Sequence, residues 1–209
     1  MSCWNCQADP GPGPFCQKCN TLQPVPPKAD AFAVLGLPKT FFLDRKAIGE
    51  RHKELSRKLH PDRFAQKDPK ERRFSLEWTT ALNDAVKALK DPASRAAYLL
   101  KEQGLDVAKE SGDEAMGRLP TEFLELVLED REALAEAKAA KDLERVRALS
   151  KDVKARSGHE LAEVEAALAL WEKTGDKVVL EKAAASLAVL KYYARFQEEV
   201  EAIEQQALE

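Results

Sequence analysis

The chain has 209 residues, of which 33% are charged and 7% aromatic, and its net charge is −3. This length suggests one or two domains, and this composition a soluble, strongly helical protein. No apolar run approaches the roughly 18 residues of a membrane helix, and Ser2–Cys6 has neither the basic start nor the apolar run of a leader. The small net charge gives no global attraction to nucleic acid or to an anionic membrane. The expectation is therefore a cytoplasmic protein with no membrane or nucleic-acid partner.

All four cysteines fall in the first nineteen residues, as Cys3, Cys6, Cys16 and Cys19. The spacing C-x2-C-x9-C-x2-C lets each pair present two thiolates from a tight turn. Two such turns complete a tetrahedral sulfur shell, which suits one zinc ion. Asn5, Asp9, Gly11, Gly13 and Asn20 supply turn residues around the pairs. A segment this short cannot bury a core, so metal binding would supply most of its folding free energy. Two disulfides are the alternative, disfavoured in a reducing cytoplasm, and an iron–sulfur cluster is a minor rival. Four thiolates leave no open coordination position, which argues against a catalytic zinc and against an enzyme built on these cysteines. Trp4 and Phe15 are expected to cover the site. Residues 1–23 thus read as a zinc module, and the proline-dense stretch 24–29 as a semi-rigid spacer.

Helical signals follow. Asp30–Leu37 offers a short turn ended by Gly36 and Pro38, and Asp44 is a good N-cap for the next helix. There Ile48, His52, Leu55 and Leu59 share one face. Arg45, Lys46, Arg51, Lys53, Arg57 and Lys58 form a positive stripe on the other, able to steer an acidic partner. Pro61 ends that helix. Asp68-Pro69 opens another, with Glu71 placed to close a capping box. Phe74, Trp78, Ala81, Leu82, Ala85 and Leu89 repeat at helical spacing, as a core packed antiparallel against the basic helix. Asp91-Pro92 starts a fourth helix, which ends near Gly104. The tripeptide His60-Pro61-Asp62 lies between the two long helices, on an exposed loop suited to touching a partner.

These residues resemble the J-domain co-chaperones and, within them, the HscB (Jac1-like) branch that serves iron–sulfur cluster assembly. The matching segments are Phe32–Pro38, His60-Pro61-Asp62-Arg63-Phe64, Leu82-Asn83-Asp84-Ala85 and Asp91-Pro92. Arg95–Leu100 with Gly104-Leu105-Asp106 carries the more specific part. The resemblance covers residues 30–209, and the paired-cysteine extension resembles that of some HscB relatives. It implies that the chain hydrolyses nothing itself. The basic helix (Arg51, Arg57, Lys58) and the loop His60, Pro61 and Asp62 would dock on a DnaK-type (HscA-type) chaperone ATPase and stimulate it. The J-domain would span 30–106, followed by a linker at 107–118.

Residues 119–209 read as three long helices in an antiparallel bundle. Pro120 begins the first. Its segment Phe123–Leu128 is almost wholly apolar and spans roughly 200° of the helix circumference, where a surface helix needs about 100°. Either it is buried on two sides or it leaves an exposed apolar patch, which usually marks a binding site. The second helix carries Leu143 to Trp171 and runs through Gly158, Thr174-Gly175-Asp176 is a turn, and the third helix ends near Ala207. By the resemblance, this bundle binds an IscU-type iron–sulfur scaffold protein. Its contacts would be Leu124, Leu128 and Tyr192, flanked by Glu129, Glu132 and Glu136. Of the paired tyrosines, Tyr192 is expected to face outward and Tyr193 to pack inside. The fold class is thus all-α: a helical-hairpin J-domain and a three-helix bundle behind a small zinc module. The adaptor reading has one rival within its class, a general J-protein handling unfolded clients. A few defined anchors on the bundle favour the first, and a broad adaptable surface would favour the second.

Overall fold

The computed structural model describes residues 2–107, 119 and 121–207. Residues 108–118, read as linker, and Pro120, read as a helix start, lie outside them. Seven α-helices and one 3-10 turn are present among the described residues. They are α1 (Ala31–Leu35), α2 (Arg45–Leu59), the turn Pro61–Phe64, α3 (Pro69–Leu89), α4 (Pro92–Glu102), α5 (Thr121–Ala139), α6 (Leu143–Thr174) and α7 (Val178–Gln206). The chain divides into two compact units between Arg95 and Ala96, within α4.

In the first unit each helix start is set by a local carboxylate. Asp30, Asp44, Asp68 and Asp91 accept backbone N–H groups of Ala33, Lys46, Lys70 and Ser94, satisfying donors that a helix start leaves unpaired. Gly36 closes α1 in the left-handed region at φ 64°, and a Cβ there would meet the Arg51 guanidinium at 3.0 Å. Ser75 Oγ donates to Leu59 O, and His52 Nε2 lies 3.3 Å from Asn83 Oδ1. The end of α2 thus meets the start of α3, and the middle of α2 meets residues further along it, which is an antiparallel hairpin. Ile48, Leu55 and Leu59 face Phe74, Trp78, Leu82 and Leu89 in a buried core.

Buried Arg95 staples the base of this unit. Its Nε donates to Leu89 O at 2.7 Å, its Nη1 donates to Phe41 O and Leu43 O at 2.6 and 3.1 Å, and its guanidinium stacks on the Phe41 ring.

The cysteine segment belongs to the same compact unit. Composition predicts a spacer at residues 24–29 that sets it apart, but long-range bonds on the N-terminal side of that stretch draw the segment onto α3. Trp78 Nε1 donates to Gln23 O, and the Leu22 N–H donates to Glu71 Oε1 at 3.0 Å. Glu71 therefore does not close the capping box expected with Asp68, because Leu22 takes its carboxylate. Trp4 packs edge-on against Phe74, and Phe15 stacks on Phe64. Both aromatics, expected to cover the cysteines, dock the segment on the hairpin.

In the second unit α6 and α7 pair antiparallel along their length. Arg147–Glu204, Ser150–Gln197 and Glu163–Lys182 mark successive rungs. α5 runs antiparallel to α6 through Glu136–Arg145 and Asp130–Arg156. Phe123, Leu134, Ala137, Val146, Val153, Val189, Tyr193, Phe196, Val200 and Ile203 fill the shared core. α6 continues through Gly158 and stops at Gly175, which takes φ 72°. Lys191 donates to Val107 O and ties the segment after α4 to α7.

Candidate functional site

Three sites can be built from these elements. The first is the turn after α2. Leu59 and Phe64 are buried and anchor its two ends. Pro61 cannot continue α2, so His60 leaves the helix at ψ 132° and the chain closes a single 3-10 turn through Asp62, with Arg63 N bonded to His60 O. The side chains between the anchors stay in solvent, with His60 57% and Asp62 88% exposed. The Asp62 N–H donates to His60 Nδ1 at 3.3 Å. Nδ1 also lies 3.5 Å from Asp62 Oδ2, so the imidazole and the carboxylate stand side by side, both open to a partner.

On α2 the basic stripe is partly internal. Arg51 Nε donates to Leu35 O and its Nη1 to Glu54, so this residue also locks α1 to α2. Lys58 pairs with the same Glu54 at 2.7 Å. Lys58 and Arg51 together hold the Glu54 carboxyl below its ordinary range. Arg57 and Lys53 are exposed and form no ion pair among the described residues.

The second site is the cysteine cluster. The four Sγ atoms lie within 4.8 Å of one another, with Cys3–Cys19 at 3.6 Å and Cys6–Cys16 at 3.7 Å. Four sulfurs at about 2.3 Å from a central ion are about 3.8 Å apart along each tetrahedral edge, so the residues present fit a tetrahedral metal ion. The Thr21 hydroxyl and N–H pull the Cys19 thiol down to about 6. Cys6 is held up at about 11: the Ala8 N–H opposes the rise, and burial and the other three sulfurs outweigh it. Gln23 Nε2 donates to Cys3 Sγ, a second layer around the cluster. The cluster could hold a metal ion through Cys3, Cys6, Cys16 and Cys19.

The third site is on the bundle. Phe123 is buried, Leu124, Leu126 and Val127 are half-buried, and Leu128 is 62% exposed. The wide apolar arc therefore closes onto the core along one edge and leaves Leu124 and Leu128 along the other. Tyr192 is half-buried, packs edge-on against Phe123 and donates its hydroxyl to Val127 O at 3.2 Å, while Tyr193 is buried. Burial raises the pKa of both tyrosines. Tyr192 thus lies across the Phe123–Val127 segment of α5, and Glu129, Glu132 and Glu136 are exposed further along that helix.

Beneath lies a charge pair that sequence reading missed. Buried Asp130 accepts from Arg156 Nη2 at 2.8 Å, and the guanidinium stacks on Tyr193. Phe123, Asp130 and Ala137 stand seven apart and all are buried, so an acid in a core register was the available signal.

A turn carrying His-Pro-Asp at the tip of a helical hairpin defines a J-domain, and its company with a separate helical bundle defines a J-domain co-chaperone. The chain matches the family descriptions "DnaJ domain" over residues 30–98 and "HSCB C-terminal oligomerisation domain" over residues 119–201. It is 32% identical to the mouse (Mus musculus) iron-sulfur cluster co-chaperone protein HscB, across 95% of this chain and 80% of that protein. A Ralstonia nicotianae co-chaperone protein HscB homolog is 41% identical over 54% of this chain and 62% of its own length. The crystal structure of human co-chaperone protein HscB superposes with a TM-score of 0.83 at 29% identity, covering 98% of both chains. The chain belongs to the HscB co-chaperone family. Its relatives are co-chaperones rather than enzymes, and among the described residues no helix is long and apolar enough to cross a membrane.

Proposed function

We propose that this chain is an adaptor in iron–sulfur cluster assembly. Its bundle holds an IscU-type scaffold protein, and its J-domain docks a DnaK- or HscA-type chaperone ATPase and stimulates that partner's hydrolysis. His60 and Asp62 supply the docking contacts, with Arg57 and Lys58 steering an acidic face of the ATPase into place. Leu124, Leu128 and Tyr192 are the apolar anchors for the scaffold, with Glu129 and Glu132 beside them. The observation that carries the reading is the confinement of exposed apolar surface on α5 to one edge, next to a half-buried tyrosine. A few defined anchors suit one particular client, whereas unfolded clients need a broad and adaptable surface. The mouse relative is described as an iron-sulfur cluster co-chaperone, which supports the same client class.

The cysteine cluster is assigned to one zinc ion, because four thiolates at tetrahedral spacing suit this metal and leave no open position for chemistry. Metal analysis of purified protein should return about one zinc per chain. Replacing Leu124, Leu128 and Tyr192 together by Ala should weaken scaffold binding while leaving ATPase stimulation without scaffold intact. Unchanged scaffold affinity would place the interface elsewhere.

A further inference from the structure

A groove of about 420 Å³ opens between the cysteine module and the turn that carries His60–Asp62. Phe15 and Asn20 line it from the module, and Lys58, Arg63, Phe64 and Lys67 from the hairpin. Its volume falls within the range of sites that accept ligands or peptide side chains, about 300–1,000 Å³. The lining is strongly one-sided in charge. Its single carboxylate, Glu71, already accepts the Leu22 N–H. Lys58 is balanced by Glu54, whereas Arg63 and Lys67 are exposed and form no ion pair among the described residues. The groove is also continuous with the docking turn, since Arg63 follows Asp62 directly and Lys58 lies two residues before His60. A body seated on His60 and Asp62 would cover residues 63–67 as well.

We infer that this groove takes an acidic segment of the chaperone ATPase, so that the cysteine module forms part of the docking surface as well as bracing the hairpin. The inference rests on the ATPase-docking reading above. A cationic groove beside an exposed docking turn favours an anionic polypeptide, because complementary charge speeds encounter and like charge rejects wrong partners. The stacked pair Phe15–Phe64 fixes the two walls relative to each other, so the module's metal-bound shape would set the width of the groove.

The test uses the full chain and the ATPase. Asn20 has φ 56°, a left-handed conformation that Asp adopts readily, so Asn20→Asp adds one negative charge with little change of volume. Affinity for the ATPase is measured for Asn20→Asp, Lys67→Glu and Arg57→Glu, with zinc content and thermal midpoint alongside. Asn20→Asp should raise Kd about fivefold and Lys67→Glu about tenfold, and both losses should shrink at about 0.5 M salt. Asn20→Lys should tighten binding, an outcome that metal loss or misfolding cannot imitate. Wild-type affinity in both Asn20 variants, with Arg57→Glu still weakened, overturns the module's part and leaves the docking reading standing. If Arg57→Glu also binds normally, the docking reading falls and the groove proposal with it. A change confined to self-association of the chain would assign the groove to a second copy and likewise overturn the proposal.

Discussion

Removing the metal should cost the J-domain its stability, because the cysteine module is built into that unit. Leu22 is fully buried, and its N–H donates to Glu71. Trp78 donates to Gln23 O, Trp4 meets Phe74 edge-on, and Phe15 stacks on Phe64. A buried leucine is worth about 1.5–3 kcal/mol, each hydrogen bond at least about 0.5 kcal/mol, and each aromatic pair about 0.5–1.5 kcal/mol beyond its area. Even the low ends amount to about 3.5 kcal/mol for a module that cannot hold its shape without metal. A unit of this size loses about 4–8 °C of Tm per kcal/mol, so the apo protein should unfold at least about 14 °C below the metal-bound form. The assay is thermal unfolding by tryptophan fluorescence in a Trp171→Phe background, which leaves Trp4 and Trp78 in the first unit as reporters, before and after chelation under reducing conditions. An apo midpoint within about 2 °C of the metal-bound one would refute the coupling.

Other outcomes follow from the same contacts. Arg95→Met should destabilise the first unit by about 2–4 kcal/mol in urea unfolding, because it removes the guanidinium's hydrogen bonds to Leu89 O, Phe41 O and Leu43 O, and an unchanged midpoint would contradict the staple. Leu128→Ala should change stability by less than about 0.5 kcal/mol, since the side chain is mostly in solvent, yet weaken scaffold binding. Phe123→Ala, five residues earlier but buried, should cost about 3–5 kcal/mol. Equal thermal midpoints for these two variants would contradict the orientation of α5. Arg156→Leu should destabilise the bundle by about 2–4 kcal/mol by leaving Asp130 buried and unpaired, and restoring stability with a second change, Asp130→Leu, checks that origin.

Much of the fold was legible because its signals are local. Asp30, Asp44, Asp68 and Asp91 each stand directly before a helix and bond an N–H two or three residues on, and the spacings of Ile48–Leu59 and Phe74–Leu89 already define the hairpin faces. The candidate site was legible in the same measure: the His60–Asp62 turn from its bracketing helices, the cysteine cluster from its spacing, and the Leu124–Leu128 edge from an arc too wide for one interface. What escaped notice acts over distance. Glu71 has the position of a capping-box partner, but its bond runs to Leu22, 49 residues away. Arg95 holds carbonyls more than 50 residues back, and nothing near it in sequence suggests that it is buried. The proline-rich stretch at 24–29 reads as a spacer by composition, whereas what binds the module to α3 are two indoles, a glutamate and backbone groups scattered across the unit. Asp130 was visible in a core register but needed Arg156, from another helix, to make sense.

The proposed function is the coupling of a scaffold-binding bundle to an ATPase-docking turn in one chain. Its most direct measurement is the turnover of the DnaK-type partner with the full chain, in the presence and absence of the scaffold protein. The chain should raise turnover, and the scaffold should raise it further. His60→Gln should abolish both increases with its thermal midpoint unchanged, and the Leu124, Leu128 and Tyr192 triple alanine variant should lose only the scaffold's increment. Full stimulation by His60→Gln, or a scaffold increment that survives the triple variant, would contradict it.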